Sequence, residues 1–225
     1  MDLLAEQKEY YRQRAAEYDQ WWFREGRYAL EPDVRERWFA DVAEVERALD
    51  GFRPAGDVLE LACGTGLWTR HLVPHASHVT AVDASVEVMA LNRAKLPGAP
   101  VTYVEADLFE WAPPVRVFDV CFFGYWLSHV PADRLAGFWR TVSRTLRPGG
   151  RVFLVDSGPP ATARDGVEER KLNDGRRFRV MKRYLHPHDL VSEAAACGLT
   201  LTASLSANGY ILYAHGTATS GSTDP

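Results

Sequence analysis

Apolar and polar positions along the chain fall into short β-branched runs separated by stretches of helical period. Val58-Leu59-Glu60-Leu61, His78 to Val82, Val101 to Ala106, Phe118 to Gly124 and Arg151 to Asp156 read as five strands. Helical patterns lie between them, and a longer one over Asp33 to Asp50 carries Val34, Trp38, Val42, Val45 and Leu49 at spacings of three and four, an ordinary core stripe. Strands alternating with helices predict an α/β fold with a mostly parallel sheet, helices on both faces and any ligand at the carboxyl ends of the strands. Toward the end, His186 to Cys197 suggests a helix, and Leu199 to Leu205 and Tyr210 to Ala214 two further strands. Asn208-Gly209 marks a turn between that last pair, which must therefore run antiparallel. The expectation is seven strands in one sheet, with a reversed strand at its edge.

Glycine and carboxylate positions add chemistry to this frame. Cys63-Gly64-Thr65-Gly66 follows the first strand, and its glycines suit a tight turn approached closely by a ligand; Leu67 to Val73 reads as the helix after it. A pyrophosphate loop would carry a third glycine at position 69, which is Thr69, and Glu60 at the strand end would repel pyrophosphate while suiting an ammonium. Asp83 ends the second strand 23 residues beyond Glu60, where a carboxylate can accept both hydroxyls of a ribose. Asp107-Leu108 ends the third. Asp at a strand-to-helix junction is also a favoured helix cap, so capping stands as the alternative for Asp83, Asp107 and Asp156.

The run E-L-A-C-G-T-G over Glu60 to Gly66, with Asp83 and Asp107 following in register, resembles the first motifs of class I S-adenosylmethionine (AdoMet) methyltransferases, over roughly residues 10 to 156. The resemblance implies a Rossmann-like sheet and AdoMet as cofactor, with Glu60, Ala62, Gly64, Gly66, Asp83, Ala84, Asp107, Leu108, Phe123 and Trp126 around it. In that family an N-terminal helix reading Y-Y-x-x-R-A-x-x-Y-D folds over the cofactor as a lid, and Tyr11, Arg14, Ala15, Tyr18 and Asp19 match it. Within one helix over Gln7 to Tyr18, the residues Tyr11, Arg14 and Tyr18 would share a face. They are expected on the cofactor, Arg14 at the methionyl carboxylate, with Trp22 and Tyr28 nearer the acceptor. Simple docking of the aromatic helix is the competing reading.

Residues 1–215 read as one domain, with 1–50 as the lid and 164–184 as a basic insertion; 216–225 is low in complexity and expected to be disordered. Residues 170–183 hold seven of the 26 Lys and Arg but one of the 30 Asp and Glu, against a formal net charge of −4 overall. Asn173-Asp174-Gly175 suits a hairpin turn, and alternation then places Arg170, Phe178, Val180 and Lys182 on one face. Two cations there could clamp a carboxylate, phosphate or phosphonate, or they could belong to a solvated face. His129 is the candidate general base for a phenol or alcohol, or a loop histidine bonding backbone. The hairpin is similar to that expected in small bacterial natural-product O-methyltransferases, the phosphonate O-methyltransferase of dehydrophos biosynthesis among them, which implies Arg170, Lys182 and Tyr28 around an acceptor that is already ionised.

The net charge is a poor match for nucleic acid, and no stretch approaches the roughly 20 apolar residues of a membrane span. Three cysteines without a C-x-x-C pair suggest neither a disulfide framework nor a thiolate metal site, and no metal is expected. The charged start of the chain suggests the cytoplasm. The partner expected is a small-molecule methyl acceptor, with an amine or phenol as the alternative to an anion. An NAD(P)-dependent oxidoreductase and a non-catalytic AdoMet-binding regulator are the readings from other classes.

Overall fold

The computed structural model describes residues 2–219 except 161 and 163. Seven strands form one sheet: β1 Gly56–Leu61, β2 Ala76–Asp83, β3 Val101–Glu105, β4 Phe118–Gly124, β5 Leu146–Ser157, β8 Leu199–Leu205 and β9 Ile211–Ala218. Their order is β3-β2-β1-β4-β5-β9-β8. The first five are parallel, and β9 runs antiparallel to both of its neighbours. The reversed strand is therefore one place in from the edge, not at it. A short turn makes β8 and β9 neighbours, and β9, apolar at Ile211, Leu212 and Ala214, takes the buried place beside β5.

Strand alternation divides the core. Leu59, Leu61, Cys121 and Phe123 face α6 (Ala132–Thr145) and α7 (Pro187–Ala195), where Phe138, Trp139 and Leu190 cover them. Val58, Val79, Val120, Phe122 and Phe153 face the other way, against Trp38, Val42, Val45 and Leu49 of α3 (Pro32–Phe52) and Met89 of α5 (Val86–Lys95). Asp41 of α3 is fully buried and ties that helix to the turn between β8 and β9. Its carboxylate accepts from Ser206 Oγ at 2.6 Å, Asn208 Nδ2 at 2.7 Å, Asn208 N at 3.0 Å and Tyr210 N at 3.1 Å.

Two helices are shorter than their patterns suggest. After the glycine turn only Thr69–Leu72 is helical (α4), because the glycine loop and Trp68 occupy the first turn of the expected segment. At the N-terminus, α1 (Leu3–Gln13) stops before Arg14, a 3-10 turn spans Ala15–Glu17, and α2 covers Tyr18–Trp22. Tyr11, Arg14 and Tyr18 thus do not lie on one continuous helix face. A second 3-10 turn, Gly26–Tyr28, leads into α3.

The basic segment forms a separate hairpin, β6 (Gly166–Lys171) with β7 (Arg177–Lys182), and Gly175 has a φ of +95° in its turn. Arg170 pairs with Phe178 and Glu168 with Val180, so Arg170, Phe178, Val180 and Lys182 share a face as expected. Leu172 and Val180 close on Tyr10 of α1, with Tyr11 and Phe178 at the margin. Of the expected disordered tail, Gly216 to Ala218 belong to β9; residues 220–225 lie outside the described residues.

Asp41→Ala is expected to lower unfolding free energy by about 1–3 kcal/mol, because it strands buried donors without a partner. Urea denaturation at neutral pH measures this.

Candidate functional site

Two cavities open at the carboxyl ends of the parallel strands, beneath the N-terminal segment. The first, of about 370 Å³, runs from Ala62 and Gly64 after β1 past Asp83 and Ala84 after β2 to Asp107, Leu108 and Phe109 after β3. Trp126 and α1 close its other side. The second, of about 410 Å³, lies between Arg14, Tyr28 and the hairpin residues Arg170 and Lys182. Tyr11, Tyr18, Tyr125 and His129 line both, so the cavities meet at these four side chains.

Backbone geometry shapes the first cavity. Ala62 and Tyr125, at the ends of neighbouring strands β1 and β4, both take left-handed conformations (φ +54° each). Such positions cost a side-chain-bearing residue energy and cluster where a chain must turn toward a ligand. Gly64 N donates to Asp83 Oδ2 and Ser85 N to Asp83 Oδ1, each at 3.0 Å, which fixes the carboxylate at the cavity wall. Burial raises its pKa against the pull of these amides. Asp107 Oδ2 meets Lys8 Nζ of α1 at 2.5 Å, and Asp107 Oδ1 accepts from Phe109 N at 3.1 Å. Phe109 and Trp126 lie 5.3 Å apart, centroid to centroid.

Gly66 lines neither cavity. Its φ is +88°, and a Cβ there would come within 2.6 Å of Asn92 Oδ1, so its lack of a side chain lets α5 pack under the loop. Glu60 also departs from expectation. It is 1% exposed, accepts from Thr69 Oγ1 at 2.7 Å beneath the glycine turn and faces neither cavity, its place on β1 being on the α3 side of the sheet. Burial pushes its pKa up to about 8.

Phe123 and Trp22 likewise line neither cavity. Phe123 is enclosed by Phe138 and Trp139 in the core, and Trp22 sits edge-on to Trp38 and Trp68 with its carbonyl accepting from Trp38 Nε1 at 3.2 Å. Both are large apolar rings that burial retains inside. Arg14, expected with the cofactor, lines the second cavity only. It is 7% exposed, has Tyr10, Tyr18, Trp21 and Tyr28 rings 5.0–5.9 Å away, and its Nε has no hydrogen-bond partner among the described residues.

The second cavity is cationic: Arg14, Arg27, Arg170, Lys171 and Lys182 against Glu169. Lys182 is 5% exposed, with Nζ 2.9 Å from Ser128 Oγ, 3.2 Å from Ser157 Oγ and 3.6 Å from Asp156 Oδ1. Arg170 pairs with Glu168, and Arg27 donates to Tyr28 Oη at 2.6 Å. His129 is enclosed, with Nδ1 2.6 Å from the Met181 carbonyl and Nε2 2.8 Å from Tyr11 Oη. Burial, with Lys182 beside it, pushes its pKa down to about 3.

Sequence reasoning missed Tyr125, Gln7, Lys8 and Ser157. Tyr125 follows directly on the strand ending in Gly124, a position that could have marked it; nothing in the sequence singles out Gln7. Among the described residues no helix is long and apolar enough to cross a membrane.

A methyltransferase-domain family model matches residues 58–150. Over nearly its whole length the chain is similar to DhpI, solved as a complex with SAH: 35% identity, 96% of this chain and 97% of that one, TM-score 0.77. A second DhpI structure, its complex with SAM and HEP, matches at 35% identity over 95% of this chain and 97% of that one, TM-score 0.77. A malonyl-[acyl-carrier protein] O-methyltransferase of Paenibacillus sp. (strain JDR-2) is 31% identical over 60% of this chain and 51% of its own length. An uncharacterized methyltransferase of Mycobacterium tuberculosis is 28% identical over 55% of this chain and 62% of its own. The chain thus spans half to three-fifths of these curated relatives. It belongs to the S-adenosylmethionine-dependent methyltransferases, and its sheet is their Rossmann-like fold. AdoMet is the cofactor of the class, which overturns the oxidoreductase alternative.

A carboxyl whose pKa rises from 4.5 to about 8 on folding favours the fold below pH 4.5 and loses that contribution as pH climbs toward 8. In the ligand-free protein, Glu60→Gln is therefore expected to gain stability relative to wild type between pH 5 and 8, by at least about 1.4 kcal/mol, the worth of one pKa unit. Urea titrations at the two pH values read the difference; a constant difference contradicts the raised pKa.

Proposed function

We propose that the protein transfers the methyl group of AdoMet to an oxygen of a small anionic acceptor, a phosphonate or carboxylate, in natural-product biosynthesis. The observation that carries this reading is the cationic second cavity, which meets the first at Tyr11, Tyr18, Tyr125 and His129. Similarity over nearly the whole chain to DhpI, the dehydrophos phosphonate O-methyltransferase, supports it.

The first cavity suits the cofactor. Asp83, already oriented by two backbone amides, accepts the ribose hydroxyls; Asp107 accepts from the adenine amino group, and Leu108, Phe109 and Trp126 bracket the ring. Arg14, a buried guanidinium without an acid partner among the described residues, lies in the second cavity 5.0 Å from the ring of Tyr18, and neutralises the methionyl carboxylate from that side of the junction. When bound, AdoMet supplies a methyl carbon activated by a positively charged sulfur.

On the acceptor side Arg170 and Lys182 grip the anion, and Tyr28 adds a hydroxyl. Their existing partners, Glu168 for Arg170 and two serines with Asp156 for Lys182, hold both cations in place before binding. A phosphonate or carboxylate oxygen is ionised near neutral pH and needs no base. The chain's contribution is then alignment and exclusion of water, for which α1 and the hairpin form the cover.

Methyl transfer from methyl-deuterated AdoMet to a panel of phosphonates, carboxylates, phenols and amines, read by mass spectrometry, tests the proposal. Labelled phosphonate or carboxylate esters are expected; label on phenols or amines alone contradicts the anionic acceptor, and AdoMet binding without any transfer contradicts catalysis on these classes. Asp83→Ala is expected to raise the AdoMet dissociation constant ten- to hundredfold, about 1–3 kcal/mol of charge-assisted hydrogen bonding. Lys182→Ala should raise acceptor KM with AdoMet affinity nearly unchanged, as isothermal titration beside steady-state kinetics would report.

A further inference from the structure

His129 has the place of a general base but not the free valence of one. A carbonyl oxygen only accepts, so the 2.6 Å contact with Met181 puts the ring hydrogen on Nδ1. In the neutral ring Nε2 then carries the lone pair, and Tyr11 Oη, 2.8 Å away, must be the donor. Gln7 closes the arrangement. Its Nε2 donates to the His129 carbonyl at 3.2 Å and its Oε1 accepts from Met181 N at 2.9 Å, so α1, the turn bearing His129 and β7 are locked together around one imidazole.

The consequence falls on Tyr11. Its single hydroxyl hydrogen is spent on His129, and its oxygen therefore presents only lone pairs to the junction of the two cavities. From these observations we infer that His129 is a positioning residue which turns Tyr11 into a pure acceptor at the point of methyl transfer. This rests on the reading of that junction as the transfer point. An acceptor-only oxygen favours a polarised methyl group through weak C–H···O contact. Equally, it cannot donate to the nucleophilic oxygen, where a hydrogen bond would hold back the lone pair that must attack carbon.

The charged groups around the ring agree with its neutrality. Lys182 of β7 and Arg170 of β6 disfavour a second proton, and Asp156 of β5 opposes them from within its own contacts to Ser128 N, Ser157 N and Lys182. Tyr11, from α1, is itself held protonated by burial.

Imidazole ¹⁵N NMR of the protein with S-adenosylhomocysteine bound tests the tautomer without turnover. A neutral, Nδ1-protonated His129 from pH 5.5 to 8 is expected, with its Nε2 resonance shifted in Tyr11→Phe; an Nε2-protonated or titrating ring in that range overturns the inference. Kinetics of Tyr11→Phe, His129→Ala and the double variant, on the acceptor methylated fastest in the panel above, give the second readout. Each single change is expected to lower kcat about 10- to 100-fold, with acceptor KM and AdoMet affinity within about threefold, and the double variant to be no slower than the worse single one. His129→Gln, able to bond Met181 or Tyr11, should recover part of the loss. Additive losses, or rescue of His129→Ala by added imidazole or higher pH, overturn the coupling alone. If both single variants keep full kcat while the NMR result holds, the junction is not the transfer point and the reading beneath the inference fails with it.

Discussion

Beneath the turn that follows β1, Tyr103 Oη donates to Asn92 Oδ1 at 2.9 Å, Asn92 Nδ2 donates to Thr69 Oγ1 at 2.8 Å, and Thr69 Oγ1 donates to Glu60 Oε2 at 2.7 Å. Asn92 also reaches the carbonyls of Cys63 and Gly64. This buried chain joins α5, β3, α4 and β1 under the glycine loop. The Tyr103, Asn92 and Thr69 donors in it all have acceptors, and a buried polar network stabilises a core only to the extent that its donors are satisfied. It depends on Gly66, whose missing Cβ makes room for Asn92, and it presents the Gly64 amide to Asp83. The carboxylate at the first cavity thus inherits its position from a network that never touches that cavity.

A second set of contacts spans the site from above. The N-terminal segment meets the elements around the first cavity through Lys8–Asp107, Arg12–Glu87 and Asp19, whose carboxylate accepts from Thr65 Oγ1 and Lys95 Nζ. On its other flank Glu6 pairs with Arg179, Glu17 accepts from Asn173 N, and Tyr10 packs on Leu172 and Val180. Exposed ion pairs of this kind contribute little individually. The apolar cluster around Tyr10 gives the segment its seat on the hairpin, and the hairpin brings Arg170 and Lys182 to the second cavity. One short stretch of chain therefore borders both cavities.

The sheet was legible because parallel strands buried on both faces leave β-branched and aromatic runs that nothing else in the sequence imitates. Asp83, Asp107, Gly64 and the Arg170/Lys182 face were readable for a related reason, since strand ends and two-residue alternation fix where side chains point. What escaped depends on tertiary packing. Glu60 stands at the expected strand position, yet Thr69 in place of a glycine draws it beneath the loop. Trp22 and Phe123 occupy plausible places in sequence, but their bulk is satisfied by other rings. Arg14 moved to the second cavity because the helix breaks after Gln13, which composition did not reveal. For His129 the sequence offered a loop histidine bonding backbone beside a general base, but the particular partner was illegible, because the Met181 carbonyl that sets its tautomer is 52 residues away.

The proposed function requires that the two cavities meeting at Tyr11, Tyr18, Tyr125 and His129 take cofactor and acceptor. A crystal structure with S-adenosylhomocysteine and ethylphosphonate bound together addresses it most directly. Ribose hydroxyls on Asp83, the phosphonate between Arg170 and Lys182, and a phosphonate oxygen facing the sulfur across those four side chains are expected. A phosphonate bound away from the hairpin, or an adenosyl group lying away from Asp83, would contradict it.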